Sequence, residues 1–298
     1  MGESDPPASA APPDRAPVVG LVDYYTDPGA RLADLPLADL KWPLGRPGGL
    51  EGLTVADLGP EDQLFTYPRL WAFRRQKGVR ARLSLMIVEP RAFHWHFMAL
   101  ARLAGRRFHR VLTCDARLLA ALPNAEFFVF GNTWVPHWRE VDVTKTRMLS
   151  LIASKKKALR GHKLRHRIAG WMRAQGIEGD IIGGAYAPFE DKADGLAPYR
   201  YSVVIENSRE PHLISEKLID ALLLKTVPIY WGATEVARHF DPEGMILCES
   251  EEDIRRAITG ISAEDYARRL PAIEANREAA TRYADMSARA ARLLAGTL

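Results

Sequence analysis

Glu206, Asn207 and Ser208 stand together at the end of an apolar run, and the pair Glu216-Lys217 follows eight residues after Ser208. A carboxylate, a carboxamide and an ammonium gathered near a helix start suit a ligand that carries hydroxyls and phosphates. Lysine and the free backbone N–H groups of the helix start donate to anionic oxygens, while the carboxylate accepts from hydroxyls. The other reading is a solvated helix start, with Glu216 favoured there by the macrodipole. His212 lies four residues before Glu216, a spacing that places both on one helical face, with Lys217 about 100° further round. Far upstream, Glu89 directly follows the apolar run 82–88 and precedes Pro90. Burial can raise a carboxylate there toward the pKa of a usable base, and a solvated loop carboxylate is the alternative.

Between these two places lies the most basic stretch of the chain, with Lys155, Lys156, Lys157, Arg160, Lys163, Arg165, Arg167 and Arg173. A basic loop that feeds a helix suits phosphate, because arginine offers a planar fork of donors. Most of these charges also fit a solvated helix face. The stretch lacks the interleaved aromatics of a nucleic-acid surface, so no nucleic-acid partner is expected. His94 and His96 form an H-x-H pair that would point to one side on a strand, as metal ligands can. Neither a cysteine nor a third histidine stands nearby, and ordinary packing or acceptor contact is the competing reading; no metal site is expected.

The elements that must hold these residues alternate in type. Residues 201–205 read as a buried strand ending at Glu206; Ile214, Leu218, Ala221 and Leu222 give an apolar helical face; residues 227–231 form another strand, stopped by Gly232. Earlier, residues 18–25 and 82–88 read as strands, with weaker strand-forming segments at 53–58 and 62–67. Residues 27–50 read as a loop with short helical pieces, and 70–77 as a short helix. Residues 97–105 and 118–122 read as helices, and 108–112 and 126–130 as strands. Residues 139–147 look like a connection into a second half, which restarts with a strand at 148–153. The basic helix follows, with Leu164, Ile168 and Trp171 on one face. A short strand at 177–184 ends in a glycine pair that is no G-x-G-x-x-G match. Residues 234–240 look helical, 244–247 form a strand, and 251–259 and 263–294 are helical, with Pro271 starting or kinking a helix. Strands alternating with helices imply mostly parallel sheets covered on both faces, so the fold class is α/β.

The chain has 298 residues, 47% of them hydrophobic, which suits two domains with sizeable cores. A net charge of +4 fits a phosphate-bearing ligand or an anionic membrane surface and is too weak to argue for nucleic acid. Cys114 and Cys248 form no metal-ligand spacing and fit a reducing compartment. The first 16 residues are Pro/Ala-rich, read as a disordered tail and show no apolar signal region. No run approaches the roughly 20 apolar residues of a membrane span. A cytoplasmic protein that can visit a membrane surface is the expectation.

The stretch ENSREPHLISEKLIDALLLKTVPIYWG, residues 206–232, resembles the signature of the family 10 glycosyltransferases, the α-1,3/1,4-fucosyltransferases. That pattern is a strand leading into E-N-[ST], a short turn, [YF]-[IV]-[TS]-E-K-[LI] and later [VI]-P-[IV]-x-x-G. The GHKLRH segment and Glu89-Pro90 resemble further parts of bacterial-type members. The resemblance implies a GT-B fold, two Rossmann-like α/β domains facing a central cleft. The expected division is 1–16 as tail, 17–145 as the acceptor-side domain, and 146–298 as the nucleotide-sugar domain with the C-terminal helices. It implies an inverting transfer of a sugar, L-fucose from GDP-fucose, to a hydroxyl of an oligosaccharide or lipid-linked glycan such as a lipopolysaccharide chain, with no metal or other cofactor required. By the same resemblance Glu89 is the general base and Glu216 steadies the developing positive charge. Arg165 grips the pyrophosphate, and Asn207, Lys217, Glu206 and Ser208 belong to the donor site. Leu213 departs from the family pattern, which has an aromatic residue there, and leaves the donor sugar open. The alternatives are another nucleotide-sugar donor on the same fold, or a non-catalytic glycan- or nucleic-acid-binding protein.

Overall fold

The computed structural model describes residues 16–297. The tail expected over residues 1–16 falls, but for Ala16, outside the described residues. The chain forms two compact units, each built on a five-stranded sheet in which every strand pair is parallel.

One unit comprises the described residues of Met1–Ile87, His96–Phe128 and Ser287–Leu298. Its strands β1 (Val19–Val22), β2 (Gln63–Thr66), β3 (Arg82–Ile87), β4 (Val111–Thr113) and β5 (Ala125–Phe127) lie side by side in chain order. Leu85, Ile87 and Val111 pack on Met98 and Ala101 of helix α1 (Arg91–Ala104) and on Leu118 of α2 (Ala116–Ala121). Asp115 caps α2 by accepting from the N–H groups of Arg117 and Leu118. The strand expected at 53–58 is instead a 3-10 turn, Val55–Asp57. Asp57 accepts from both the backbone N–H and the hydroxyl of Thr54, so the local side chains satisfy the backbone and compete with a ladder.

Helix α1 begins six residues earlier than expected, at Arg91. The Pro90 carbonyl accepts from Phe93 and His94, and so opens the helix right after the proline. The H-x-H pair is therefore helical rather than extended. His94 itself is off helical geometry, and the strand on which the two side chains would point to one side is absent.

The second unit comprises Val88–Trp95 and Val129–Met286. Its strands are β6 (Arg147–Ile152), β7 (Asp180–Ile182), β8 (Tyr199–Ile205), β9 (Val227–Trp231) and β10 (Ile246–Leu247), in spatial order β10-β9-β8-β6-β7. Alternation along the strands covers both faces. Leu149, Leu151, Val203, Ile205 and Ile229 pack against α3 (Arg160–Ala174) and α5 (Glu251–Gly260). Val204 and Tyr230 pack on the other side with Leu218 and Leu222 of α4 (Glu216–Leu223) and Ala280 of α6 (Ala263–Thr281). The helix expected at 234–240 is only a 3-10 turn, Val236–Arg238, and the expected 263–294 helix is two, α6 and α7 (Met286–Ala295). Pro271 lies inside α6 rather than at its start. Residues from Ser287 onward group with the first unit, where the Leu294 carbonyl accepts from the Gln63 carboxamide. Among the described residues no helix is long and apolar enough to cross a membrane.

The second sheet has one topological switch. From β6 the chain moves out to β7, then returns to lay β8 on the other flank of β6. Ligands of open parallel sheets collect beyond the carboxyl ends of the strands at such a point. The segments that leave β6 and β8 there are the basic loop ahead of α3 and Glu206-Asn207-Ser208.

Candidate functional site

Strand β8 delivers Glu206. Its backbone N–H still donates to Trp231 O at 2.8 Å, which extends the ladder by one residue, and its side chain is 1% exposed. Both carboxylate oxygens are engaged by one residue: Oε1 accepts from Ser215 N at 3.0 Å and Oε2 from Ser215 Oγ at 2.6 Å. Glu206 thus holds the turn that opens α4. Gly232 makes room for it, since a Cβ there would press on the Tyr230 phenol and on Cγ of Glu206.

Helix α3 starts hard against the same strand end. Gly161 N donates to Asn207 O at 3.1 Å, and a Cβ on Gly161 would overlap the Glu206 carbonyl oxygen. One turn on, Arg165 donates from Nε to Ile205 O at 3.0 Å and from Nη2 to Asn207 Oδ1 at 2.7 Å. Of the eight basic residues in this stretch, Arg165 alone is buried. The others serve elsewhere or face solvent: Arg167 pairs with Glu251 at 2.7 Å, Arg160 lies over the Trp231 ring, and Arg173 lies over the Tyr186 ring. Lys155, Lys156 and Lys157 are exposed on the loop after β6.

Helix α4 contributes the charged pair. Ser215 is its N-cap, and its hydroxyl accepts from Lys217 N. Lys217 Nζ lies 2.8 Å from Glu216 Oε1, 3.1 Å from Ser215 Oγ and 3.6 Å from Glu206 Oε2. Glu216 is 5% exposed, so this is not a solvated helix start. Burial alone would push its carboxyl up, but Lys217 and Lys192 together outweigh burial and hold it below the usual carboxylate range. Burial works against the Lys217 ammonium, and Glu206 and Glu216 overcome it and raise its pKa. Both groups are held charged.

Glu89 belongs to the same unit. Its carboxyl is raised above the usual range, first by the protein packed around it and next by the Glu216 carboxylate; Lys217 and Lys156 pull it partly back. The residue is exposed to solvent, which weakens these effects. Two residues on, Arg91 N donates to Glu210 Oε1 at 3.0 Å, and Ser208 Oγ donates to the same oxygen at 3.0 Å.

His212 does not share a face with Glu216, because α4 begins only at Glu216. Instead His212 Nδ1 lies 3.2 Å from His239 Nε2. The sequence reading missed Ser215, Glu210, Lys192 and Asp220. Ser215 carried a signal, a cap-type residue just ahead of Glu216-Lys217. Lys192 and Asp220 carried none: they are 28 residues apart and form a 2.6 Å ion pair, with Asp220 fully buried and also bonded to Thr133 Oγ1 and Trp134 N. Lys192 Nζ also reaches the Glu216 carbonyl at 3.3 Å. Among the described residues no group of three or more His, Cys, Asp or Glu side chains could hold a metal ion. Arg165 and Lys217 can meet anionic oxygens. Glu216 can accept from hydroxyls, and Glu89 can take a proton.

No family model matches the chain. It is 32% identical over 69 residues to the α-(1,3)-fucosyltransferase FucT of Helicobacter pylori, a match that spans 23% of this chain and 14% of that relative. A glycosyltransferase from Rickettsia africae ESF-5 superposes with a TM-score of 0.51 at 12% identity, covering 78% of this chain and 75% of the other. An α,α-trehalose 6-phosphate synthase from Burkholderia multivorans superposes with a TM-score of 0.52 at 10% identity, covering 80% and 72%. At such identities the likeness speaks to the fold: the chain has the α/β GT-B fold, two Rossmann-like units, as expected.

Proposed function

We propose that the chain is an inverting glycosyltransferase that moves a sugar, L-fucose from GDP-fucose, onto a hydroxyl of a glycan. The observation that carries this reading is the meeting of Arg165, Asn207, Glu216 and Lys217 at the switch of the second sheet, with Glu89 close enough to feel Glu216, Lys217 and Lys156. The 69-residue similarity to a fucosyltransferase supports the donor class. Glu89 takes the proton of the acceptor hydroxyl as that oxygen bonds to the anomeric carbon. The bond from that carbon to the diphosphate breaks, and GDP leaves with its electron pair. Arg165 and Lys217 meet the charge that grows on GDP. Glu216 accepts from sugar hydroxyls or steadies the positive charge at the anomeric carbon. Asn207 contacts the donor, while Glu206 and Ser208 act from behind it by fixing Ser215 and Glu210.

Leu213 bears on the choice of sugar. Its side chain is buried in the fold, so it offers the donor neither a ring nor a hydroxyl, which keeps a different nucleotide sugar as the second reading. We place the enzyme in the cytoplasm, with a lipid-linked or lipopolysaccharide-type glycan as acceptor. Two cysteines far apart in the sequence and a net positive charge suit a reducing compartment and contact with an anionic membrane surface. The test is turnover of GDP-fucose by Glu89→Gln. General-base loss predicts a rate about 10²–10⁴-fold lower with GDP affinity unchanged. An equal collapse of GDP affinity would mark Glu89 as structural and end its assignment as the base.

A further inference from the structure

Glu89 precedes a helix whose first turn has backbone N–H groups without intrahelical acceptors. One of these, Arg91 N–H, is taken by the Glu210 carboxylate at 3.0 Å, from a residue 119 positions away. The same oxygen accepts from Ser208 Oγ, next to Asn207. The Glu210 carbonyl also accepts from Leu213 N, so the turn that carries the carboxylate is itself closed. Within α1 the helical geometry breaks at His94, with φ −106° and ψ 18°. Val88–Trp95 groups with the unit that holds Arg165, Glu216 and Lys217, whereas His96 onward groups with the other. The segment just after Glu89 is thus tied to the loop that leaves β8.

We propose that Glu210 is a positioning residue: by holding Arg91 N–H and Ser208 Oγ on one carboxylate oxygen, it keeps Glu89 at a fixed place beside Glu216 and Lys217. The proposal rests on Glu89 being the base. It adds that a single carboxylate ties the segment after Glu89 to the loop that leaves β8. The charge of Glu210 is incidental, since a glutamine carbonyl can accept the same two hydrogen bonds.

The experiment combines amide hydrogen exchange across residues 88–95 with steady-state hydrolysis of GDP-fucose, water serving as acceptor. In Glu210→Ala, exchange in 88–95 rises, kcat falls about tenfold or more, and KM for GDP-fucose stays within about twofold, as expected when a reacting group is misplaced and binding is kept. The acid limb of the pH profile moves to lower pH as Glu89 drifts from Glu216. Glu210→Gln restores exchange, kcat and the limb. Unchanged exchange in Glu210→Ala would overturn the tie, and raised exchange with wild-type kcat would overturn the positioning role. A Glu210→Gln variant as slow as Glu210→Ala would show that charge matters, not the tether. Failure of the base reading itself shows separately, as wild-type hydrolysis by Glu89→Gln.

Discussion

Glu89 and Glu216 are two carboxyls whose surroundings push them in opposite directions. Glu216 is held ionised by Lys217 and Lys192, and Glu89 is raised by the protein around it and by Glu216 itself. Paired carboxyls separated in this way take separate roles, one a fixed charge and the other a proton acceptor. As the proposed base, Glu89 would have to be ionised, so the rate should fall as pH drops through its pKa, at a midpoint above the ordinary 4.5, and a pH–rate profile reads this directly. Stability should move the other way. A raised carboxyl favours the fold below about pH 4.5 and loses that contribution as pH rises through its folded pKa. At neutral pH, therefore, Glu89→Gln should melt at or slightly above the wild type while it loses transfer; a melting point well below wild type would contradict the account. At this scale the sequence pointed to candidate residues but not to the groups that hold them. Glu89, Glu206 and Glu216 were legible from their places at strand and helix ends. Glu210 reaches Arg91, 119 residues away, and Lys192 pairs with Asp220, 28 residues away, distances that no local spacing encodes.

At the scale of elements, α3 and α4 are fixed by the end of β8. Gly161 lets the first turn of α3 touch the Glu206 carbonyl, so Gly161→Ala should push the helix and Arg165 away from Asn207. Overpacking of this kind costs about 1–3 kcal/mol, and GDP binding should weaken as well; calorimetry and titration of the same variant check both. The far end of α4 depends on Lys145, whose Nζ donates to Leu224 O and Ala197 O at 2.7 Å and to Thr226 Oγ1 at 3.1 Å. Burial, ahead of Lys225, Arg200 and Arg277, pushes Lys145 down to about 7, while three acceptors match the three donors of its ammonium form. Lys145→Met orphans those acceptors and should lower stability by about 1–3 kcal/mol or more in a denaturant melt. Strands β3, β6, β8 and β9 and helices α3, α4 and α5 were legible within a few residues, because burial gave each a clear apolar period. The errors fell where side chains or prolines overrode that period: the Thr54–Asp57 bonds made a 3-10 turn, and Pro90 opened α1 early enough to make the H-x-H pair helical.

For the whole molecule, alternating strand and helix signals gave mostly parallel sheets covered by helices, and the GT-B arrangement came only through the resemblance of residues 206–232; the sheets have five strands each. Strand order was not legible, and it is the order β10-β9-β8-β6-β7 that makes a switch at β6 and β8 and sets the basic loop beside Asn207. As proposed, this switch binds a guanosine diphosphate sugar. Thermal melts with GDP, UDP, CDP and TDP, repeated on Arg165→Ala, test it most directly. GDP alone should stabilise the wild type, by about 2.7 kcal/mol at a hundred times its Kd, and Arg165→Ala should lose affinity for GDP far more than for guanosine. A wild-type melt that no nucleotide shifts would contradict the account.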